Sequence, residues 1–328
     1  MAIASVTAKN VLGFHGETFK MEFSDGINVV IGQNGAGKTS LLKMIYSAAQ
    51  WSNTSAHAGK TGRLNEFFSY QFDSVEDLQA KGTKPDFSFF EVSNGKEHFT
   101  LDITHGGTEY TDWAKLNLQA VFIPTTEMLS HAKGFLALNQ KFKLPFDGTQ
   151  TDIIVNASLP EARNTPPVLD GILEKIGDAI DGTVIQEDDT FYVIKKDGRK
   201  IEFSLEAEGL RKLGLIWKLI RNGLLEPGSI LLWDEPETNL NPELFPLVAD
   251  ILLELQKNGV QIFAATHSYN FAKYLEIRRA DQQQVQFHNL YHNDAGIICG
   301  NSAFRMEDLK PNYIMIADNA LLDEIYDM

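Results

Sequence analysis

The chain is 328 residues long, 43% hydrophobic and 22% charged, with a formal net charge of −15. That balance suits one large globular domain or two small ones, and the acidity argues against a surface coated in basic charge for nucleic acid, although it is compatible with a local basic patch. No run approaches the roughly eighteen apolar residues of a membrane span, the N-terminus lacks a basic segment followed by an apolar core, and the single cysteine, Cys299, cannot form an internal disulfide, which suits a reducing cytosol.

In chain order, Phe19, Met21 and Phe23 alternate with Lys20 and Glu22, which predicts a strand over 18–23, and 3–8 reads as another. Asp25-Gly26 turns the chain into the apolar β-branched run 27–31. A helical pattern follows through Leu41, Leu42, Ile45, Tyr46 and Ala49. Residues 51–62 are small and polar and are expected to be mobile, and Leu64, Phe67, Phe68 and Phe72 suggest a short helix. Strands over 86–92 and 97–103, joined by Ser93-Asn94-Gly95-Lys96, form a hairpin, and 118–123 is a further strand ending at Pro124. Residues 126–180 are the least sheet-like stretch. Pro160, Pro166 and Pro167 break it, and Leu169, Ile172, Leu173, Ile176 and Ile180 then repeat at helical spacing. A second meander over 183–203 turns at Asp197-Gly198. Helices from about Ala207, Pro242 and Tyr269 then alternate with strands at 230–233 and 260–265, which predicts an α/β fold with antiparallel additions. Residues 285–291 and 297–299 read as late strands and 317–326 as a closing helix.

The chemistry is concentrated in three places. Residues 32–39 fit G-x-x-x-x-G-K-[ST] without a mismatch, between a strand and a helix, the setting that motif requires. Gly32, Gly35 and Gly37 let the backbone close round a phosphate, and with Gln33, Asn34, Ala36 and Ser40 they make the predicted nucleotide cradle. Lys38 would neutralise the β- and γ-phosphates, and the Thr39 hydroxyl would hold Mg²⁺. Second, the strand at 230–233 runs into paired acids. Asp234 can hold Mg²⁺, directly or through water, and Glu235 can polarise the water that attacks the γ-phosphate, with Glu237 the next candidate. Third, His267 directly follows the strand at 260–265, where it can hydrogen-bond the γ-phosphate or the attacking water. Alone, the last two motifs are weak, since strands end in solvated acidic turns and a lone histidine is commonly a satisfied core or surface residue. The order loop, acids, histidine makes them support one another. Two basic sets, Lys133, Lys141 and Lys143 with His131, and Arg211, Lys212, Lys218 and Arg221, are each read as a solvated helix face in preference to a nucleic-acid patch.

These residues together resemble an ABC-class P-loop ATPase of the SMC/RecF/OLD type, of the small stand-alone bacterial kind grouped with AAA ATPases, many of them associated with phage-defence operons. Residues 32–40 are similar to that family's Walker A, 230–235 to Walker B with its catalytic glutamate, and Thr238-Asn239-Leu240-Asn241 to its D-loop. His267 stands at its switch histidine, and Lys9-Asn10-Val11-Leu12-Gly13-Phe14 resembles its first strand and turn. The likeness runs over residues 3–270 and is only an outline over 50–200. The family's signature, typically Leu-Ser-Gly-Gly-Glu, closes on the partner's γ-phosphate in a head-to-tail dimer. Its counterpart here begins at Leu205. Gly209 stands at the signature glycine, Ala207 replaces the usual serine, and Glu206 and Glu208 bring charge that should repel a phosphate, which Arg211 or Lys212 could offset. The family's Q-loop has two candidate positions, Gln119 and the turn 124–127.

The resemblance implies an α/β P-loop NTPase, ABC ATPase-like, with an antiparallel β meander. It implies a single ATPase domain over 1–328, with a helical insertion at 126–180 and a C-terminal extension at 281–328. It implies Mg-dependent hydrolysis of ATP at the β–γ phosphoanhydride by a cytoplasmic, ATP-stimulated homodimer. That dimer would be a nucleotide switch for a separate effector protein encoded nearby, in bacterial antiviral defence, with no membrane partner. Long heptad arms, an H-N-H nuclease and an acidic triad are not seen in the sequence, and the roughly sixty residues after His267 fall short of an ordinary domain. The first rival is a RecF-like DNA-binding repair ATPase, which the charge disfavours. The second is the nucleotide-binding subunit of a membrane transporter, which the altered signature and the insertion disfavour.

Overall fold

A computed structural model describes residues 2–53, 64–82, 87–163, 166–293 and 296–326. Most of the stretch expected to be mobile, and the first residue of the strand expected at 86–92, lie outside them. β1 (Ser5–Lys9) and β2 (Phe19–Glu22) lead to β3 (Ile27–Gly32), which the glycine loop joins to α1 (Lys38–Trp51). β4 (Phe89–Ser93), β5 (His98–Asp102) and β6 (Gly107–Tyr110) precede β7 (Ala120–Ile123). Three helices follow, α2 (Phe135–Phe142), α3 (Gly148–Ala157) and α4 (Asp170–Ala179), then the meander β8 (Gly182–Glu187), β9 (Thr190–Lys195) and β10 (Lys200–Glu202). The alternating part is α5 (Glu208–Arg221), β11 (Ile230–Asp234), α6 (Phe245–Lys257), β12 (Gln261–Thr266) and α7 (Tyr269–Arg278). β13 (Val285–Asn293), β14 (Gly296–Ala303) and α8 (Tyr313–Tyr326) follow.

The strands form a six-stranded sheet in the order β14-β13-β3-β12-β11-β7, a five-stranded sheet in the order β2-β1-β4-β5-β6, and a small sheet of β8, β9 and β10. In the large sheet β7, β11, β12, β3 and β13 are parallel and only β14 runs against its neighbour. Period-two alternation decides what each strand buries. Ile27, Val29, Ile31, Leu231, Trp233 and Ile262 face a core with the helices that follow the first meander, whereas Val30, Leu232, Phe263 and Ala265 face α1 and the five-stranded sheet. α1 is therefore clamped between two sheets. Leu41, Leu42, Met44, Ile45, Tyr46 and Ala48 are all buried, and each fully buried large side chain contributes roughly 1.5–3 kcal/mol. The loop at its head is consequently held by a rigid element.

The stretch 126–180 packs into the same core. Ile153, Ile154, Ile172 and Ile176 are buried there, Lys43 of α1 pairs with Asp147 at 2.6 Å, and the Tyr46 hydroxyl donates to Asp152 at 2.9 Å. Two expected helices differ in detail. The Leu64–Phe72 region holds one 3₁₀ turn at Asn65–Phe67, and its aromatic residues serve as packing partners for α1, with Phe67 set edge-on against Tyr46. α8 begins at Tyr313, earlier than expected, and of its apolar residues only Ile314 is buried. Leu321, Leu322, Ile325 and Tyr326 are exposed, so the helix closes the core only through its first turn.

Candidate functional site

The parallel register puts the chemistry along one edge. Asp234 lies opposite Ala265, which lies opposite Val30, so β3, β11 and β12 end level. The glycine loop, the acids and His267 all leave from these carboxyl ends, the edge where parallel sheets place ligands. Residues 34–40, with Gly13, Glu235 and Ile297, line a cavity of about 430 Å³.

α1 starts at Lys38 behind Gly37, whose φ of 85° is left-handed. The first amides of a helix have no intrahelical partner, and no acidic residue sits in the first turn of α1 to compete for them. The head of α1 is thus a nest for an anion. Lys38 is buried, and its Nζ donates to the carbonyls of Gly32 at 2.8 Å and Gln33 at 3.1 Å. Burial pushes its pKa below the usual lysine value, opposed by the carboxylates of Glu235, Asp234 and Glu237. Gly32 serves a purpose other than the one its motif suggests. It is not among the cavity-lining residues, and a Cβ there would lie 2.2 Å from the carbonyl of Leu290 on β13. Its smallness lets two strands pair.

Thr39 Oγ1 donates to Asp234 Oδ2 at 2.8 Å, and Thr125 Oγ1 donates to the same oxygen at 3.2 Å. Asp234 is 5% exposed. Burial raises its pKa, with the Thr39 hydrogen bond pulling the other way. Its second oxygen, Oδ1, is buried without a hydrogen-bond partner. A hard cation beside Thr39 would satisfy that oxygen, so the donor set, one carboxylate and hydroxyls, fits Mg²⁺.

Glu235 occupies the left-handed region at φ 50°. Its carboxylate accepts from Thr238 Oγ1 at 2.9 Å through one oxygen, and the other lies 3.2 Å from His267 Nδ1. Behind them Glu237 is buried. Its Oε1 accepts from Thr266 Oγ1 at 2.5 Å and from the His267 amide at 3.3 Å, and burial raises its pKa. The structure therefore gives Glu237 to the support of His267, away from the cavity.

Gly209 does not line the cavity. It lies in the first turn of α5 against the 238–241 turn, where an added Cβ would meet Asn239 O at 3.2 Å. Several expectations around it change. Glu206 is neutralised by Lys195 at 2.7 Å, both nearly buried, so it brings little repulsion to the helix head. Glu208 accepts from Asn239 Nδ2 at 2.8 Å. Arg211 and Lys212 cannot supply charge outward, because Arg211 pairs with the buried Glu127 at 3.2 Å and Lys212 is 2% exposed. The rest of that basic set is also tied up: Lys218 and Arg221 both pair with Glu161. In the other set, Lys143 pairs with Asp73 and Lys141 lies over the Phe142 ring. Gln119 is excluded from the site, since it sits ahead of β7 and its side chain bonds the Gly223 carbonyl. The turn at the other end of β7 reaches the site through Thr125.

Gly13 was legible only as part of a turn, and Ile297 not at all. The latter comes from the distant β13–β14 hairpin, where an added Cβ on Gly13 or Gly37 would strike its Cδ1 at 2.6 and 2.5 Å. Among the described residues no group of three or more potential ligands forms a ready-made metal cage, and no helix is long and apolar enough to cross a membrane.

Residues 127–272, just under half of the chain, match the family described as "AAA domain, putative AbiEii toxin, Type IV TA system". A stretch of 116 residues is 28% identical to the DNA replication and repair protein RecF of Francisella tularensis subsp. mediasiatica, covering 34% of this chain and 31% of that protein. The chain thus spans about a third of the length of the curated relative it matches. Among solved structures, an SmcHead bound to the C-winged helix domain of ScpA superposes with a TM-score of 0.56 at 13% identity, over 92% of this chain and 97% of that one. The Smc head with an extended coiled coil, bound to the C-terminal domain of ScpA derived from Pyrococcus furiosus, gives 0.54 at 11% identity over 99% of each. The fold is that of SMC heads.

Proposed function

We propose that this chain is a cytoplasmic Mg-dependent ATPase that closes head to tail on ATP and, in doing so, switches a separate effector protein. The observation that carries this reading is the pairing of Thr39 with a buried Asp234 whose second oxygen has no partner, beside a cavity edged by Glu235. The amides at the head of α1 and Lys38 bind the phosphates of ATP. Thr39 and Asp234 would hold Mg²⁺, which would supply positive charge beside the phosphates. Glu235 accepts the proton of a water as its oxygen bonds the γ-phosphorus and the bridging β–γ P–O bond breaks, leaving ADP and phosphate. His267, held by Glu237 and adjacent to Glu235, orients the water or the γ-phosphate. Ser40 completes the cradle, while Gln33 lies outside the cavity lining and holds Lys38 through its carbonyl.

The closing surface comprises Gly209 at the head of α5 and the 238–241 turn. Ala207, at the N-cap of α5, makes no side-chain cap, and with the Leu210 and Arg211 amides bonded to the Ala207 carbonyl it is the Glu208 and Gly209 amides that would meet a second subunit's γ-phosphate. Partner binding by the SMC-type heads named above, and the toxin–antitoxin description of the matching family, support a separate effector. The insertion at 126–180 and the C-terminal segment 301–328 are its candidate docking surfaces. Light scattering of Glu235→Gln tests the switch: mass should double with Mg-ATP and return without it. An unchanged mass in both states would remove the closing mechanism. A RecF-like repair role remains the alternative because of the matched stretch. Salt-dependent DNA binding would support it, although the second basic set is consumed by internal pairs.

A further inference from the structure

The head of α5 is strapped to the turn that carries Glu235. Lys212 is on α5 and 2% exposed, and its Nζ donates to the Thr238 carbonyl at 2.6 Å and to the Glu235 carbonyl at 3.3 Å. One turn earlier on the helix, Gly209 abuts Asn239 and Leu240, and Glu208 bonds Asn239. Among these contacts only that of Lys212 reaches Glu235 itself. Glu235 has a φ of 50°, which an L side chain holds only where its surroundings impose it. In that conformation its carbonyl meets Lys212 on the buried side, while its carboxylate edges the phosphate cavity.

We propose that Lys212 is a positioning residue for Glu235. Its ammonium donates to both ends of the 235–238 turn, holds Glu235 in the left-handed conformation that presents its carboxylate to the cavity, and so couples the placement of α5 to the competence of the site. The proposal rests on the reading of Glu235 as the proton acceptor. Burying an ammonium is unfavourable unless it is hydrogen-bonded and has negative charge nearby. Here two carbonyls supply the bonds, and Glu208, Glu237, Glu235 and Asp234 supply the charge. A lysine that merely filled space could be an apolar residue of the same length at no such cost. Because α5 also carries Gly209, any movement of its head when a second subunit docks would be transmitted through Lys212 to the Glu235 peptide.

The test compares Lys212→Met, which keeps the stem and loses the donor, with Lys212→Arg, which restores one. ATP affinity, kcat, KM and amide exchange over 235–241 are measured in each, with Glu235→Gln as the reference. Lys212→Met should bind ATP within about threefold of wild type and lose at least about tenfold in kcat, as expected for a misplaced catalytic group. Exchange over 235–241 should accelerate, and Lys212→Arg should recover most of the turnover. Should Lys212→Met melt below the assay temperature, Lys212→Gln, whose shorter stem withdraws its donor from the Glu235 and Thr238 carbonyls, provides the same comparison. If Glu235→Gln loses turnover while Lys212→Met keeps both turnover and protection, the strap is wrong and the reading of Glu235 stands. If Glu235→Gln keeps turnover while Lys212→Met loosens 235–241, the strap stands and the reading of Glu235 is wrong.

Discussion

The Thr39 hydroxyl donates to Asp234 Oδ2 at 2.8 Å across 195 residues of sequence, joining the head of α1 to the end of β11. Both are rigid, since α1 is clamped between two sheets and β11 is buried throughout. Asp234 Oδ1, beside this bond, is without a partner. Replacing Thr39 by the isosteric valine removes one hydroxyl and leaves packing in place. A hydrogen bond to a charged group is worth roughly 1.5–3 kcal/mol, so Thr39→Val should raise the Mg²⁺ concentration needed for half-maximal ATP binding by at least about tenfold, and Thr39→Ser should restore it. Fluorescent-nucleotide titrations against Mg²⁺ read this out. An unchanged Mg²⁺ requirement in Thr39→Val would remove Thr39 from the metal site.

Two glycines of one motif should respond differently to alanine. At Gly32 a Cβ would sit 2.2 Å from the Leu290 carbonyl, a backbone atom that cannot rotate away. At Gly35 nothing lies within 4 Å, and only its φ of 78° opposes a side chain. Gly32→Ala should therefore destabilise the nucleotide-free protein by about 3 kcal/mol, at the upper end of ordinary overpacking, and Gly35→Ala by about 1 kcal/mol, the cost of a left-handed L residue. Urea melts compare the two. Equal losses would show that the β3–β13 approach is not what Gly32 serves.

The three motifs were legible because each is local, a loop between a strand and a helix or a side chain just beyond an apolar strand. The sheet order was not, nor was the division of labour among the acids. Glu235 and Glu237 are two residues apart in sequence and look interchangeable. Only the left-handed turn at Glu235 sends one carboxylate to the cavity and the other to Thr266. Lys212 read as solvent-facing charge because its bond to the Thr238 carbonyl is tertiary. Ile297 carried no signal, since nothing in an apolar strand residue shows that it will lie against Gly13 and Gly37. By hydropathy Leu321, Leu322 and Ile325 could equally close the core or dock on a partner, and α8 leaves all three exposed.

His288 on β13 should make stability sensitive to acid. It is fully buried, with Nε2 at 3.1 Å from Asn28 Oδ1 and Nδ1 at 2.7 Å from Ser302 Oγ. The Asn28 amide nitrogen already donates to Ser24 and Gly26 carbonyls, so its oxygen faces the ring and Nε2 carries the proton of a neutral imidazole. Burial lowers the pKa from 6.5 to about 3. The unfolded chain binds a proton below about 6.5 that the folded chain refuses, so the stability contributed by the neutral ring is complete above that pH and is lost as pH falls toward 3. One proton gives a slope of at most about 1.4 kcal/mol per pH unit. In denaturant melts between pH 7 and pH 4.5, His288→Gln should lose less stability than wild type. Parallel losses in the two proteins would contradict the assignment.

The central claim, that ATP is hydrolysed at this site with Glu235 taking the proton, is tested most directly by phosphate release in a single turnover by wild type and Glu235→Gln, each first shown to bind Mg-ATP, with Lys38→Ala as the non-binding control. Removing a positioned base costs roughly a hundredfold or more. The account predicts that Glu235→Gln binds with near wild-type affinity and releases phosphate at least about a hundredfold more slowly, while Lys38→Ala loses binding itself. Phosphate release by Glu235→Gln at the wild-type rate would contradict it.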